Sequence, residues 1–128
     1  MRWLHRLALP TVVALAAWIG MACSTTSGEG RGCKSTNADV TIDANDNQTF
    51  TVPSRTVGVG QKICWQNFGT VAHTVTGDPS SPADTAWQSF TGQLTPDLIV
   101  VYVFTTQGDY PYHCTYHPST MHGVISVR

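Results

Sequence analysis

Gly108-Asp109-Tyr110-Pro111-Tyr112-His113-Cys114-Thr115-Tyr116-His117-Pro118-Ser119-Thr120-Met121-His122-Gly123-Val124-Ile125-Ser126-Val127 reads as two β-strands joined by a donor-rich loop. Side chains alternate between faces along a strand. If Cys114 points inward, Tyr110 and Tyr112 line the core on the same side, and His113 faces out. The loop then holds a thiol, an imidazole and a thioether. His117 follows Cys114 by three residues and Met121 follows His117 by four, so one tight loop can wrap all three donors around a single ion.

That donor set has a chemical preference. Soft sulfur ligands hold Cu(I), imidazole suits both oxidation states of copper, and two His with one Cys and a weak axial Met make an electron-transfer copper site. The missing second imidazole has a candidate in His73, which shares a strand face with Val75. The candidate ligands are therefore His73, Cys114, His117 and Met121, for one copper per chain. His122, adjacent to Met121, is the alternative axial donor; Met121 is favoured because Met is the usual weak axial ligand. A structural zinc site would ask for more than one Cys nearby, and a binuclear copper centre would need two bridging cysteines where this loop has one.

Upstream of the loop the chain is strand-like. Asp39–Ile42, Gln48–Val52, Lys62–Asn67, His73–Thr76, Ile99–Thr105, Asp109–Cys114 and Gly123–Val127 are short runs of β-branched and aromatic residues between turn residues. No helical hydrophobic period of useful length accompanies them. The pattern predicts an all-β, Greek-key antiparallel β-sandwich of about seven to eight strands. Gly77–Asp97, rich in Pro, Ser, Thr and Asp, is expected to cross between sheets, with one helical turn around Asp84-Thr85-Ala86-Trp87.

The run Gly108–Pro118 followed by Met121–Val127 resembles the C-terminal signature of small blue (type 1) copper proteins, the cupredoxins of the plastocyanin, amicyanin and pseudoazurin type. Val57–Asn67 is similar to the same family's V-x-V-G-x-x-V-x-W-x-N strand, and Val71–Val75 to its first-ligand segment. The similarity covers roughly residues 38–128. It implies a cupredoxin-like sandwich, single-electron transfer, and His73, Cys114, His117 and Met121 as ligands; Met121-x-Gly123 keeps the family's register. Some features depart from it. The His117–Met121 spacing is one residue longer than in amicyanin and one shorter than in plastocyanin. Thr74 replaces the Asn that commonly follows the first ligand and helps pin the two ligand loops together. Tyr116 stands where those relatives commonly have Pro, so its N–H is free to point at the Cys114 sulfur. With the Thr74 N–H, two hydrogen bonds to that sulfur are expected.

The first residues belong to a different layer of organisation. Arg2, His5 and Arg6 precede an apolar run, Leu7–Ala22, the layout of a secretory signal. Residues 1–22 are expected to be that signal peptide. Ala22-Cys23-Ser24 resembles a lipoprotein processing site, so residues 23–34 are expected to be a flexible tether, lipidated at Cys23 or free. Residues 35–128 form the folded domain, large enough for a sandwich with its own core. Cys33 and Cys64 then remain as an even pair in a chain bound for an oxidising compartment, and a disulfide between them is the default reading.

Of seven Lys and Arg residues, two lie in the signal, leaving five against eight acidic ones and a formal charge of −3. That surface argues against nucleic acid as a partner. Nothing in the sequence pairs acid and base groups as an active site would, so the expectation is not an enzyme but an exported, monomeric, membrane-tethered electron carrier serving redox partner proteins. Its rivals are a periplasmic or extracellular copper carrier or storage protein, to which His113 and His122 lend the only support, and a fragment of a larger copper reductase or oxidase, which would need more paired histidines.

Overall fold

The computed structural model describes residues 32–81 and 84–128; the expected signal peptide, Cys23 and most of the expected tether lie outside them. Among the described residues nine strands run in order: β1 (Val40–Asn45), β2 (Thr49–Phe50), β3 (Ser54–Val57), β4 (Lys62–Gln66), β5 (His73–Gly77), β6 (Thr91–Leu94), β7 (Ile99–Val103), β8 (Gly108–His113) and β9 (His122–Val127). One helical turn, α1 (Thr85–Gln88), lies between β5 and β6. Asp84 caps it by accepting hydrogen bonds from the N–H groups of Ala86 and Trp87, satisfying donors that a helix start leaves unpaired.

The strands form two sheets, ordered β2-β1-β4-β7 and β3-β9-β8-β5-β6. The two-sheet sandwich is as expected, but the sheets are mixed rather than antiparallel. β1 pairs parallel with β4, and β3 pairs parallel with β9. The reason lies in the path of the chain. After the β1–β2 hairpin it crosses to the other sheet as β3 before returning as β4, so the crossover that a parallel pair requires runs through the opposite sheet. The two strands that the sequence pattern did not reveal, β3 and β6, each bury only one residue, Val57 and Leu94. Strands with so little inward surface carry no alternating signal.

Between the sheets lies an aromatic core. Trp65 on β4 stacks on Trp87 of α1, with ring centroids 6.1 Å apart, and meets Tyr112 edge-on at 5.5 Å. Trp87 also packs edge-on against Tyr102 and Phe104. Burial of rings this size supplies most of the favourable energy available to a small sandwich. Two glycines are fixed by close approach. A Cβ on Gly77 would strike the Trp87 carbonyl, and one on Gly123 would strike the Pro53 carbonyl and the Tyr112 ring.

β4 is buried on both faces: Ile63 and Trp65 point into the core, and Cys64 points the other way yet is fully enclosed. Its cover is a 3-10 turn at Gly32–Thr36, joined by a Cys33–Cys64 disulfide. The Cys33 N–H also donates to Gln66 Oε1 at 2.8 Å. Gly32, Cys33 and Lys34, at the end of the expected tether, are thus part of this turn, held by a covalent link and a buried side chain. Replacing both cysteines by Ala should lower stability by about 2–4 kcal/mol, measured by urea unfolding, and peptide mapping without reduction should recover the linked pair from the native protein.

Candidate metal centre

Three donors meet at one end of the sandwich. His73 opens β5, while Cys114 and His117 lie in the loop between β8 and β9, and one ligand atom from each falls within 4.8 Å of the others. Cys114 Sγ is 3.8 Å from His73 Nδ1 and 3.6 Å from His117 Nδ1. Nitrogen and sulfur ligands on one ion, at ordinary bond lengths and tetrahedral to trigonal angles, lie roughly 3.5–3.8 Å apart. The spacing is that of a shared ion.

Strand alternation places the donors as expected. Tyr110, Tyr112 and Cys114 are buried and His113 is half-buried on the other face. Met121 is fully buried and its neighbour His122 is exposed, so of the two axial candidates only Met121 is turned inward. The loop is held by its own backbone: Cys114 N–H donates to the Met121 carbonyl at 2.8 Å, His117 N–H to the Cys114 carbonyl at 3.1 Å, and Met121 N–H to the His117 carbonyl at 2.9 Å.

His73 is completely buried. Burial is the main cause lowering its pKa below the ordinary value, and charge on His117 adds to it, while Asp46 and the Asn45 carbonyl act weakly in the other direction. The ring is thereby kept in the neutral form that ligates metals. Its Nε2 makes no hydrogen bond of normal geometry, so a buried imidazole is left with Nδ1 facing the thiol. A buried free thiol between two imidazoles, with a buried thioether beside them, fits a type 1 copper ligand set.

The second-ligand loop is tied to the first through Thr74. Its hydroxyl accepts from the Thr115 N–H at 2.9 Å and lies 3.1 Å from the Thr115 hydroxyl. A Thr thus does here the pinning expected of Asn. The Thr74 N–H donates to Cys114 Sγ at 3.4 Å. Among the described residues the expected second bond, from the Tyr116 N–H, is not formed; the turn closes through the His117 N–H instead, and only one backbone hydrogen bond reaches the sulfur.

Two residues that the sequence did not single out position His73. The carboxylate of Asp46 accepts from the N–H groups of Thr70 and Val71, at 2.8 and 3.0 Å. Asn67, fully buried, donates to the Val71 and Leu94 carbonyls and accepts from the Gly69 N–H. Together they fix the segment leading into β5. The signal for Asn67 was present, as the last position of the W-x-N strand. Asp46 gave none, because its partners lie on a turn remote in sequence.

No protein-family model matches the chain, and no curated protein matches it. Solved structures do. A purple cupredoxin from Nitrosopumilus maritimus superposes with a TM-score of 0.58 at 24% identity, over 70% of this chain and 100% of that one. A reduced tryptophan-to-tyrosine mutant of amicyanin gives 0.58 at 27% identity over 71% of this chain and 82% of that one. An oxidised methionine-to-leucine mutant of amicyanin gives 0.60 at 24%, over 70% and 81%. The fold is that of a cupredoxin. Within this cupredoxin fold, the four candidate ligands occupy one end of the sandwich, enclosed except at His117.

Two outcomes test this account. Thr74→Val keeps the shape but removes the hydroxyl bridge, and should cost about 1 kcal/mol of stability in urea unfolding of the metal-free protein. Asp46 has its carboxyl held below the ordinary 3.8, first by the Val71 N–H and then by the Thr70 N–H. A lowered folded pKa means that the stabilisation is present above that ordinary value and is lost as pH falls through the folded one. Asp46→Asn should therefore be less stable than the parent at pH 7, with the gap closing in strong acid, as read by urea titrations at both pH values.

Proposed function

We propose that His73, Cys114, His117 and Met121 hold one copper ion and that the protein carries single electrons between redox partner proteins. The observation that carries the reading is the buried Cys114 thiol within 3.6–3.8 Å of both imidazole Nδ1 atoms. When bound, copper supplies a one-electron couple between Cu(II) and Cu(I).

The rest is the work of the chain. His73, fully buried and fed by a segment pinned through Asp46 and Asn67, keeps its ring in one orientation. Cys114, held by its backbone bond to Met121, keeps its sulfur between the two rings. The Thr74 N–H withdraws electron density from that sulfur, and hydrogen bonding of this kind is a recognised lever on the potential of such sites. Met121, wholly enclosed, would offer its thioether as the fourth donor. Such a site can change oxidation state with little movement of its surroundings.

His117 is the half-buried member of the set, with exposed Tyr116 and Pro118 beside it. It offers the route by which an electron would reach a docked partner. With four donors committed to one ion, no open position is left for a substrate, and the reading is of a carrier, not an enzyme.

The reading extends to an exported chain, cleaved after Ala22 and anchored to a membrane through lipidated Cys23. Its support is the basic start, the apolar run and the polar linker of the sequence, together with a disulfide suited to an oxidising compartment. Intact-mass analysis of membrane-extracted protein should give a lipid-modified Cys23 as its first residue; a soluble product with another N-terminus and no added mass would rule that out.

Copper-loaded protein should show an intense charge-transfer band in the visible, with Cys114→Ser abolishing it. A Cys114→Ser variant that stayed intensely coloured would sink the ligand assignment.

A further inference from the structure

We propose a second cation site on the outer face of the β8–β9 hairpin, formed by the imidazoles of His113 and His122 with the carboxylate of Asp78, for a divalent first-row ion such as Zn(II) or Cu(II). It goes beyond the electron-carrier reading and uses none of its four ligands.

His113 and His122 are direct cross-strand partners. One step along, the Cys114 N–H donates to the Met121 carbonyl, which makes Cys114 and Met121 the hydrogen-bonded pair of the ladder. Pair types alternate, so His113 and His122 form a non-hydrogen-bonded pair. Such residues have Cα atoms roughly 4.5 Å apart and side chains on one face, closer together than in the other pair type. That face is turned away from the core: Tyr112, Cys114 and Met121 are buried, whereas His113 is half-buried and His122 exposed.

A carboxylate completes the set. β5 flanks β8, with Thr76 opposite His113, and Asp78 just beyond its end donates its N–H to the Pro111 carbonyl at 2.9 Å. Asp78, His113 and His122 line one surface depression of about 390 Å³, walled by Pro111, Pro118 and Val124. The Asp78 carboxyl is held below its ordinary 3.8, chiefly by the Ser80 N–H and hydroxyl, with His113 contributing. It is anionic at neutral pH and lies within electrostatic reach of that imidazole.

Two imidazoles and a carboxylate suit Zn(II), Cu(II) and Ni(II) rather than Mg(II) or Ca(II), and Cu(II) binds such donors most tightly of these ions. Among the described residues only His73, Cys114 and His117 hold three donor atoms within 4.8 Å of one another. The three donors of the second set do not stand within that distance of one another, so binding there would require side-chain rotation.

The test uses the full chain with copper already bound. Titration with Zn(II) by calorimetry should show one further equivalent, with no copper released. His113→Gln and His122→Gln should each weaken that equivalent at least tenfold and Asp78→Asn severalfold, with the visible band of the copper-loaded protein retained as proof of an intact fold. Cu(II) in place of Zn(II) should add a second paramagnetic resonance signal with nitrogen hyperfine structure. The proposal is overturned if no further equivalent binds, or if it binds with unchanged affinity in both His variants. It is equally overturned if His122→Gln removes the visible band along with the second equivalent, since His122 would then belong to the first centre.

Discussion

A single backbone hydrogen bond, from the Cys114 N–H to the Met121 carbonyl, sets the terms for the rest of the structure. It closes the loop between β8 and β9, and it fixes which residues of that hairpin face the core. A slip of one residue would send every side chain of a strand to the opposite face, exposing Tyr110, Tyr112 and Cys114 and burying His113. The ladder that continues from this bond, pairing Tyr112 with Gly123 and Tyr110 with Ile125, is what makes the register costly to change, because a fully buried tyrosine hangs on each of those pairs.

The candidate metal centre is then a matter of bringing a second segment to this loop. Thr74 performs that coupling with two different groups. Its hydroxyl receives the Thr115 N–H, and its own N–H reaches the Cys114 sulfur. One residue therefore joins β5 to the loop mechanically and bears on the sulfur electronically. Asp46 and Asn67 act one step further out, holding the segment from Gly69 to Val71 so that His73 enters β5 at a fixed height. Apart from the Thr74 N–H on the Cys114 sulfur, the bonds that hold these segments leave the candidate ligands' donor atoms free.

Much of this could be read from the chain itself. The C-terminal loop has local spacing and alternation, so the candidacy of Cys114, His117 and Met121 as ligands, and the outward turn of His113, follow from residues within a few positions of each other. The helical turn at Thr85–Gln88 falls where one was expected, and the structure shows Asp84 capping it. What the sequence concealed depends on long-range placement. Parallel pairing of β1 with β4 arises from a crossover whose path is not encoded in any one segment, and the edge strands β3 and β6 bury too little to show a pattern. The Tyr116 N–H was a candidate donor to sulfur by position, but which of two nearby amides closes a turn is decided by the loop's detailed geometry. Asp46 acts on residues some two dozen positions away, and nothing near it in sequence says so.

The place of β9 in its sheet has a consequence for how the molecule comes into being. β9 lies between β8 and β3, and its parallel register with β3 joins Ser54 to Val124 and Val57 to Val127. Until residues 122–127 are available, β3 has no neighbour in the five-stranded sheet, and the loop carrying Cys114 has no second strand to close it. A ribosome releases the chain from its N-terminus onward, and partly made chains with open sheet edges are prone to mispairing. Assembly must therefore wait for the whole of this segment, and a nascent chain lacking it can offer an incoming ion only isolated side chains rather than a cage.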